Sequence, residues 1–198
     1  HVGIGREGIN KGESSPVFYN TKRLTLEQQN TFWLSETPAQ ISKGWDAAYL
    51  RVCTYALFTD KKTKQQFWVF NTHLDHMGKT ARVESVKLIT NKIQDLLVQR
   101  NIPVIITGDF NSKPTEAPAQ NMSAAFSNCS TISEQPAYGP ADTWNAFKFN
   151  EIPNGCIDYI FVSDPKKTPV KKFATITDSY EKKYPSDHFP ILATLEFR

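Results

Sequence analysis

Apolar positions along the chain fall into short runs broken by polar turns, with one long interval of helical period. Across residues 80–100, Val83, Val86, Ile89, Ile93, Leu96 and Leu97 recur every three or four positions, which predicts an amphipathic helix with Thr80 as its N-cap. Residues 49–58 and 67–72 read as two strands joined by the polar turn Asp60-Lys61-Lys62-Thr63-Lys64. Residues 103–107 form a β-branched run of the kind found in strands buried on both faces. Shorter extended stretches are expected at 15–19, 24–34, 143–149, 157–162, 173–177 and 191–197, with a short helix and a long loop across 117–141. Strand, helix and buried strand in succession describe a layered α/β protein. Many strands and few helices predict two sheets packed face to face and covered by helices. No linker or repeat divides residues 1–198, so one domain is expected.

Composition narrows this picture without redirecting it. Lys and Arg exceed Asp and Glu by only three charges, which permits an anionic substrate but lacks the strong basic face of a dedicated duplex-DNA binder. No apolar run approaches membrane-spanning length. Cys53, Cys129 and Cys156 include no CxxC pair, so a cysteine-built zinc site is not expected. The first residue is His1, which fits either a removed leader, hence a secreted or periplasmic protein, or a fragment of a cytoplasmic one. The glycines at 3, 5, 8 and 12 follow no strand and open no helix, so they are read as a loop and not as a nucleotide cradle.

Four short motifs place polar residues beside apolar strands: Asn71-Thr72-His73, Gly108-Asp109-Phe110-Asn111, Ile157-Asp158-Tyr159 and Ser186-Asp187-His188. Each has an ordinary explanation alone. Gly-Asp-x-Asn is good turn chemistry, and a single histidine is usually a satisfied core residue. Asp158 is harder to dismiss, because a carboxylate inside an apolar strand needs a partner, and a histidine is a natural one. Together the motifs supply what phosphoester hydrolysis requires: carboxylates, an amide and histidines to activate water and hold phosphoryl oxygens, around a metal that neutralises them.

In this order and spacing the four motifs resemble the endonuclease/exonuclease/phosphatase superfamily. The stretch Phe32-Trp33-Leu34-Ser35-Glu36-Thr37-Pro38 looks like one group of its bacterial members. The resemblance implies a DNase I-like four-layered α/β sandwich and metal-dependent hydrolysis by in-line attack of an activated water. It implies that Asp109 activates or positions the water or protonates the leaving oxygen. Asn111 would orient phosphate and water, and His73 would contact the phosphate. His188 would bind a phosphoryl oxygen with Asp158 behind it. Asp187, with Asp109, would lie on the side of a Mg²⁺ or Mn²⁺ ion. Arg51, on a strand after the Gly44-Trp45-Asp46 loop, is a candidate phosphate contact, with a surface ion pair as the equal alternative. Trp45 and Trp144 are read as core or rim residues in preference to base-stacking platforms.

The family's first strand supplies an Asn and the helix after it a Glu, the principal metal ligand. Neither is found here: Glu7 and Glu13 lie in the glycine-rich loop, and Glu36 belongs to another motif. The chain is therefore expected to lack the N-terminal part of the domain and, as it stands, to bind metal poorly and be nearly inactive. For substrate, Thr107 and Ser112 flank the Gly-Asp-Phe-Asn motif where inositol-phosphate phosphatases usually carry Trp and Arg. The motif phrases lean towards the deadenylase-like branch, hence a nucleotide or nucleic-acid phosphodiester. A sugar- or inositol-phosphate monoesterase and a catalytically silent binding domain are the alternatives.

Overall fold

The computed structural model describes residues 1–198. β1 (Leu24–Trp33), β2 (Val52–Asp60) and β3 (Gln66–His73) form an antiparallel meander. Helix α1 (Lys79–Gln99) then crosses over to β4 (Val104–Asp109), which pairs parallel with β3, the connection a parallel pair requires. α2 (Ala117–Ala125), the two-residue β5 (Ser127–Asn128) and the single turn α3 (Cys129–Ile132) precede β6 (Asp158–Val162). β6 runs antiparallel to β4, completing a mixed sheet in the order β1-β2-β3-β4-β6-β5. β7 (Val170–Thr175) and β8 (Ile191–Leu195) form a separate two-stranded sheet.

The two faces of the large sheet differ. One is covered by α1 and α2: Val86, Ile89, Ile93 and Met122 pack with Phe70, Ile106 and Phe161 in the main core. Ile89 and Ile93 are fully buried, so truncating either to Ala costs about 2–5 kcal/mol. The other face carries two smaller apolar clusters. One joins β6 to β7 through Ile160, Val162, Val170 and Phe173, and the other gathers Val2, Ala56, Phe58 and Phe67. Towards the end of the strands that carries Asp109, this face turns polar: along β3 it reads Phe67, Val69, Asn71, His73, and along β4 Ile105, Thr107, Asp109. No helix is long and apolar enough to cross a membrane.

Several local expectations change. Residues 143–149 form no strand; Trp144 makes a single bridge to His188, and Ala146 and Phe147 both take left-handed backbone conformations (φ 52° and 60°), which no strand accommodates. Residues 15–19 contribute only the bridge Val17–Val2. β2 starts at Val52, leaving Arg51 in the loop before it, and β7 is shifted towards the N-terminus of its expected position. β4 is fully buried only at Val104 and Ile106, on the helix side. Thr80 is not the N-cap. The cap is Gly78, and the free N–H groups of the first turn are served from a distance by Asp46, which accepts from Thr80 (3.2 Å) and Ala81 (2.7 Å); just before the helix, Asp75 accepts locally from Met77 (3.0 Å) and Gly78 (2.8 Å). A carboxylate from a remote loop does the work of a local side chain, through both hydrogen bonding and the helix dipole.

Candidate active site

Strand register assembles the site. His73 pairs with Asp109 across β3 and β4, and Asp109 with Asp158 across β4 and β6, so three polar side chains stand in one row at neighbouring strand ends. Gly108 permits this packing, because a Cβ there would collide with the carbonyl oxygen of Thr72. Beyond β4 the backbone turns at Asn111 (φ 45°), a conformation asparagine tolerates. Oδ1 of Asp109 accepts the Asn111 N–H at 2.7 Å, and Nδ2 of Asn111 donates to the Leu74 carbonyl at 2.9 Å. The Gly-Asp-Phe-Asn motif is thus a turn as well as a site element, and the turn aims it.

His188 enters from the segment before β8. Its Nδ1 donates to Oδ2 of Asp158 at 2.8 Å, the oxygen that also accepts from Oγ1 of Thr143 at 2.6 Å. Asn145 and Ala146 donate their N–H groups to the Asp187 carbonyl, and the Asn145 amide to that of Ser186, fastening residues 186–188 to the 143–146 loop. Nε2 of His73 lies 3.3 Å and Nε2 of His188 4.0 Å from Oδ2 of Asp109. The hydrogen bond that His188 donates to Asp158 raises the His188 pKa; burial opposes this, and the charges of Asp158, Asp109 and Asp187 reinforce it. Burial raises the Asp109 carboxyl, with Asp158 adding and His73, the Asn111 N–H and His188 opposing. A carboxyl and an imidazole whose pKa values are both raised, side by side, have the chemistry of an acid–base pair.

Glu13, set aside in the sequence as part of a glycine-rich loop, belongs to this group. Its Oε1 is 2.7 Å from Nδ1 of His73 and 3.4 Å from Nη1 of Arg51, and its Oε2 is 3.1 Å from Arg6. His73, Arg51 and Arg6 all meet this carboxylate, which makes it an orienting group for His73. No sequence signal linked it to His73 across sixty positions. Arg51 is no surface ion pair: its side chain is 6% exposed, clasped by Asp75 and Glu13, with Nη2 3.4 Å from Nδ1 of His76. Asp75, also missed, accepts from the N–H groups of Ala48, Tyr49, Met77 and Gly78 and from Nε of Arg51.

These residues border an open cavity of about 660 Å³ lined by Arg51, His73, Asp109, Asn111, Asp187 and His188, with Trp144, Lys113 and Asn154 at its margin. Trp45 is half-buried outside it, while Trp144 is 42% exposed. One donor atom each from Asp109, Asp158 and His188 lies within 4.8 Å of the others, and Asp187 is outside that group. His188 and Thr143 both bond Oδ2 of Asp158, so the oxygens left for a cation are Oδ1 of Asp158 and those of Asp109, Asp187 and the Asn111 amide. That donor chemistry fits a hard divalent ion completed by water and phosphate oxygens.

A two-sheeted α/β fold with carboxylate-backed histidines at one end of its strands defines a phosphoester hydrolase scaffold. The model of the Endonuclease/Exonuclease/phosphatase family matches residues 22–188, and the chain belongs to that family. Among solved structures, a mannosyl-6-phosphatase of Bacteroides thetaiotaomicron is 38% identical, with a TM-score of 0.95 over 99% of this chain and 76% of that one. A family protein from Bacteroides vulgatus is 34% identical, with a TM-score of 0.90 over 100% of this chain and 76% of that one. The human Nocturnin catalytic domain shares the fold at 20% identity (TM-score 0.67, 90% of this chain and 62% of that one). An uncharacterized protein of Acanthamoeba polyphaga mimivirus is 28% identical over 111 residues, which are 53% of this chain and 40% of that protein.

Proposed function

We propose that the protein hydrolyses a phosphate monoester carried on a sugar-type, hydroxyl-rich leaving group. The observation that carries the hydrolytic reading is the Asp158–His188 hydrogen bond (2.8 Å) with Asp109 facing the other imidazole nitrogen. In the ionised form Asp109 accepts a proton from water held near Asn111. The water oxygen bonds to phosphorus as the P–O bond in line with it breaks, and the departing alcohol oxygen takes up a proton from solvent, leaving inorganic phosphate and the free alcohol. His188, charged and oriented by Asp158, and His73, oriented by Glu13, donate to the phosphoryl oxygens as their charge grows. A divalent ion, Mg²⁺ or Mn²⁺, held by Asp109 and Asp187 would neutralise phosphate charge.

Support for the monoester comes from the likeness to the mannosyl-6-phosphatase over nearly the whole chain, and from a cavity whose lining is mainly polar. One observation favours the phosphodiester reading instead: the exposed indole of Trp144 also suits a nucleobase. A panel of mannose 6-phosphate, p-nitrophenyl phosphate, bis-p-nitrophenyl phosphate and single-stranded RNA, offered to the full-length protein with Mg²⁺ or Mn²⁺, separates the readings. Preference for mannose 6-phosphate is expected. Preference for the diester or RNA would replace the monoester reading, and inertness towards all four would favour a silent binding domain.

A further inference from the structure

Trp33 and Trp68 are buried, but Trp144 is 42% exposed and belongs to none of the three apolar clusters. It is nevertheless held firmly. Its N–H donates to the Gly155 carbonyl (3.1 Å), its carbonyl accepts from Asn154 (3.3 Å), and it bridges to His188. A large aromatic surface on a fixed backbone, beside the reacting end of a cavity and left uncovered, is a contact surface awaiting a partner. Beside it Nζ of Lys113 donates to Oδ1 of Asn154 at 3.1 Å. That bond leaves the Asn154 amide hydrogens and two ammonium hydrogens of Lys113 free to donate. A further recess of about 260 Å³ shares Trp144 and Asn154, giving room beyond the first contact.

We propose that Trp144, Lys113 and Asn154 form a carbohydrate subsite, in which the indole stacks on the C–H face of the leaving-group ring while Lys113 and Asn154 donate to its hydroxyls. This rests on the sugar-phosphate reading above. A pyranose has an apolar face and a polar edge, and the margin of the cavity offers the matching pair. A nucleic-acid strand would need a cationic track for its backbone, yet Arg51 is already neutralised by Asp75 and Glu13. Lys113 is then the one Lys or Arg of the lining outside an ion pair, too little for a track along a phosphate backbone.

The test is calorimetric binding to the full-length protein carrying Asp109→Asn, which slows turnover, with EDTA present so that hydrolysis does not contribute heat. Mannose 6-phosphate, inorganic phosphate and adenosine 5′-monophosphate are compared. The sugar phosphate is expected to bind more tightly than inorganic phosphate. Trp144→Ala lowers that preference by about tenfold, Trp144→Phe keeps most of it, and Lys113→Ala lowers it about threefold, as fits one stacking contact and one exposed polar contact. Lys113 is exposed, so its variant folds and reads the subsite even if Trp144→Ala does not. An unchanged preference in folded Trp144→Ala and in Lys113→Ala overturns the subsite. Tighter binding of the nucleotide, lost on Trp144→Ala, reassigns the platform to a base. Failure of the broader reading looks different: there the unmutated protein cleaves diesters and not mannose 6-phosphate.

Discussion

Oε1 of Glu13 lies 2.7 Å from Nδ1 of His73, tying the glycine-rich segment to the end of β3. Burial pushes the Glu13 carboxyl up, but His73, Arg51 and Arg6 together bring it below its ordinary value, so it is held as a carboxylate against the His73 ring. Replacing Glu13 with Gln keeps the shape and removes the charge. The expected result is a fall in kcat/KM of about 10- to 100-fold, matching the ~1.5–3 kcal/mol of a hydrogen bond to a charged group. Steady-state kinetics checks it.

Asp158 raises the pKa of His188. In Asp158→Asn the imidazole is expected to titrate at lower pH than in the unmutated protein, read from its Cε1–H proton resonance. The linkage has a definite sign. A histidine whose folded pKa is raised adds stability that is full below its unfolded value and is lost as pH rises through the folded one. Melting temperatures of the unmutated protein and Asp158→Asn should therefore converge on the alkaline side of that titration.

Asp109→Asn and His188→Ala are each expected to lower kcat by about 10²- to 10⁴-fold, the usual size of a general acid–base contribution. Burial raises Asp109, so without metal its carboxyl is expected to titrate above an ordinary aspartate, read from its side-chain carbon resonance. The same shift destabilises the fold as pH rises from the unfolded towards the folded pKa. With metal chelated at neutral pH, Asp109→Asn is therefore expected to melt at a higher temperature while being inactive.

Asp75 is 2% exposed and binds four backbone N–H groups and Arg51. Asp75→Ala takes one of two carboxylates from a buried guanidinium and leaves four N–H groups without their acceptor, and is expected to cost about 3–5 kcal/mol, measurable by urea unfolding. Burial acts to raise this carboxyl, but the N–H groups of Gly78, Ala48, Tyr49 and Met77 prevail and hold it far below its ordinary value. Its stabilisation is therefore present above the ordinary carboxylate pKa and is lost only as pH falls through the depressed one. Asp75→Asn should stay less stable than the unmutated protein down to strongly acid pH.

Chelation with EDTA is expected to abolish hydrolysis by the full-length protein, and Mg²⁺ or Mn²⁺ to restore it. Activity that survives exhaustive chelation would remove the metal from the proposed mechanism.

Much of the scaffold was legible because periodicity reports burial directly. The apolar spacing of residues 80–100 marked α1, and the runs near β2, β3 and β4 marked a strand–helix–strand unit. The four motifs could be read as site candidates because polar groups at the ends of apolar strands are costly unless paired. Residues 143–149 misled, since their alternation of apolar and polar types looks like a strand, whereas their backbone is set by bonds to Ser186 and Asp187.

The sequence by itself therefore determined the layered α/β class, the family resemblance and the identities of His73, Asp109, Asn111, Asp158 and His188 as candidates. Only the tertiary structure decided that register sets His73, Asp109 and Asp158 in one row. It likewise decided that Glu13 stands behind His73, that Asp46 serves the start of α1, that Asp75 clasps Arg51, and that Trp144 is left uncovered beside the cavity. Periodicity encodes which way a side chain faces relative to its own element. Hydrogen bonds between residues sixty positions apart depend on how elements dock, and no local pattern records that.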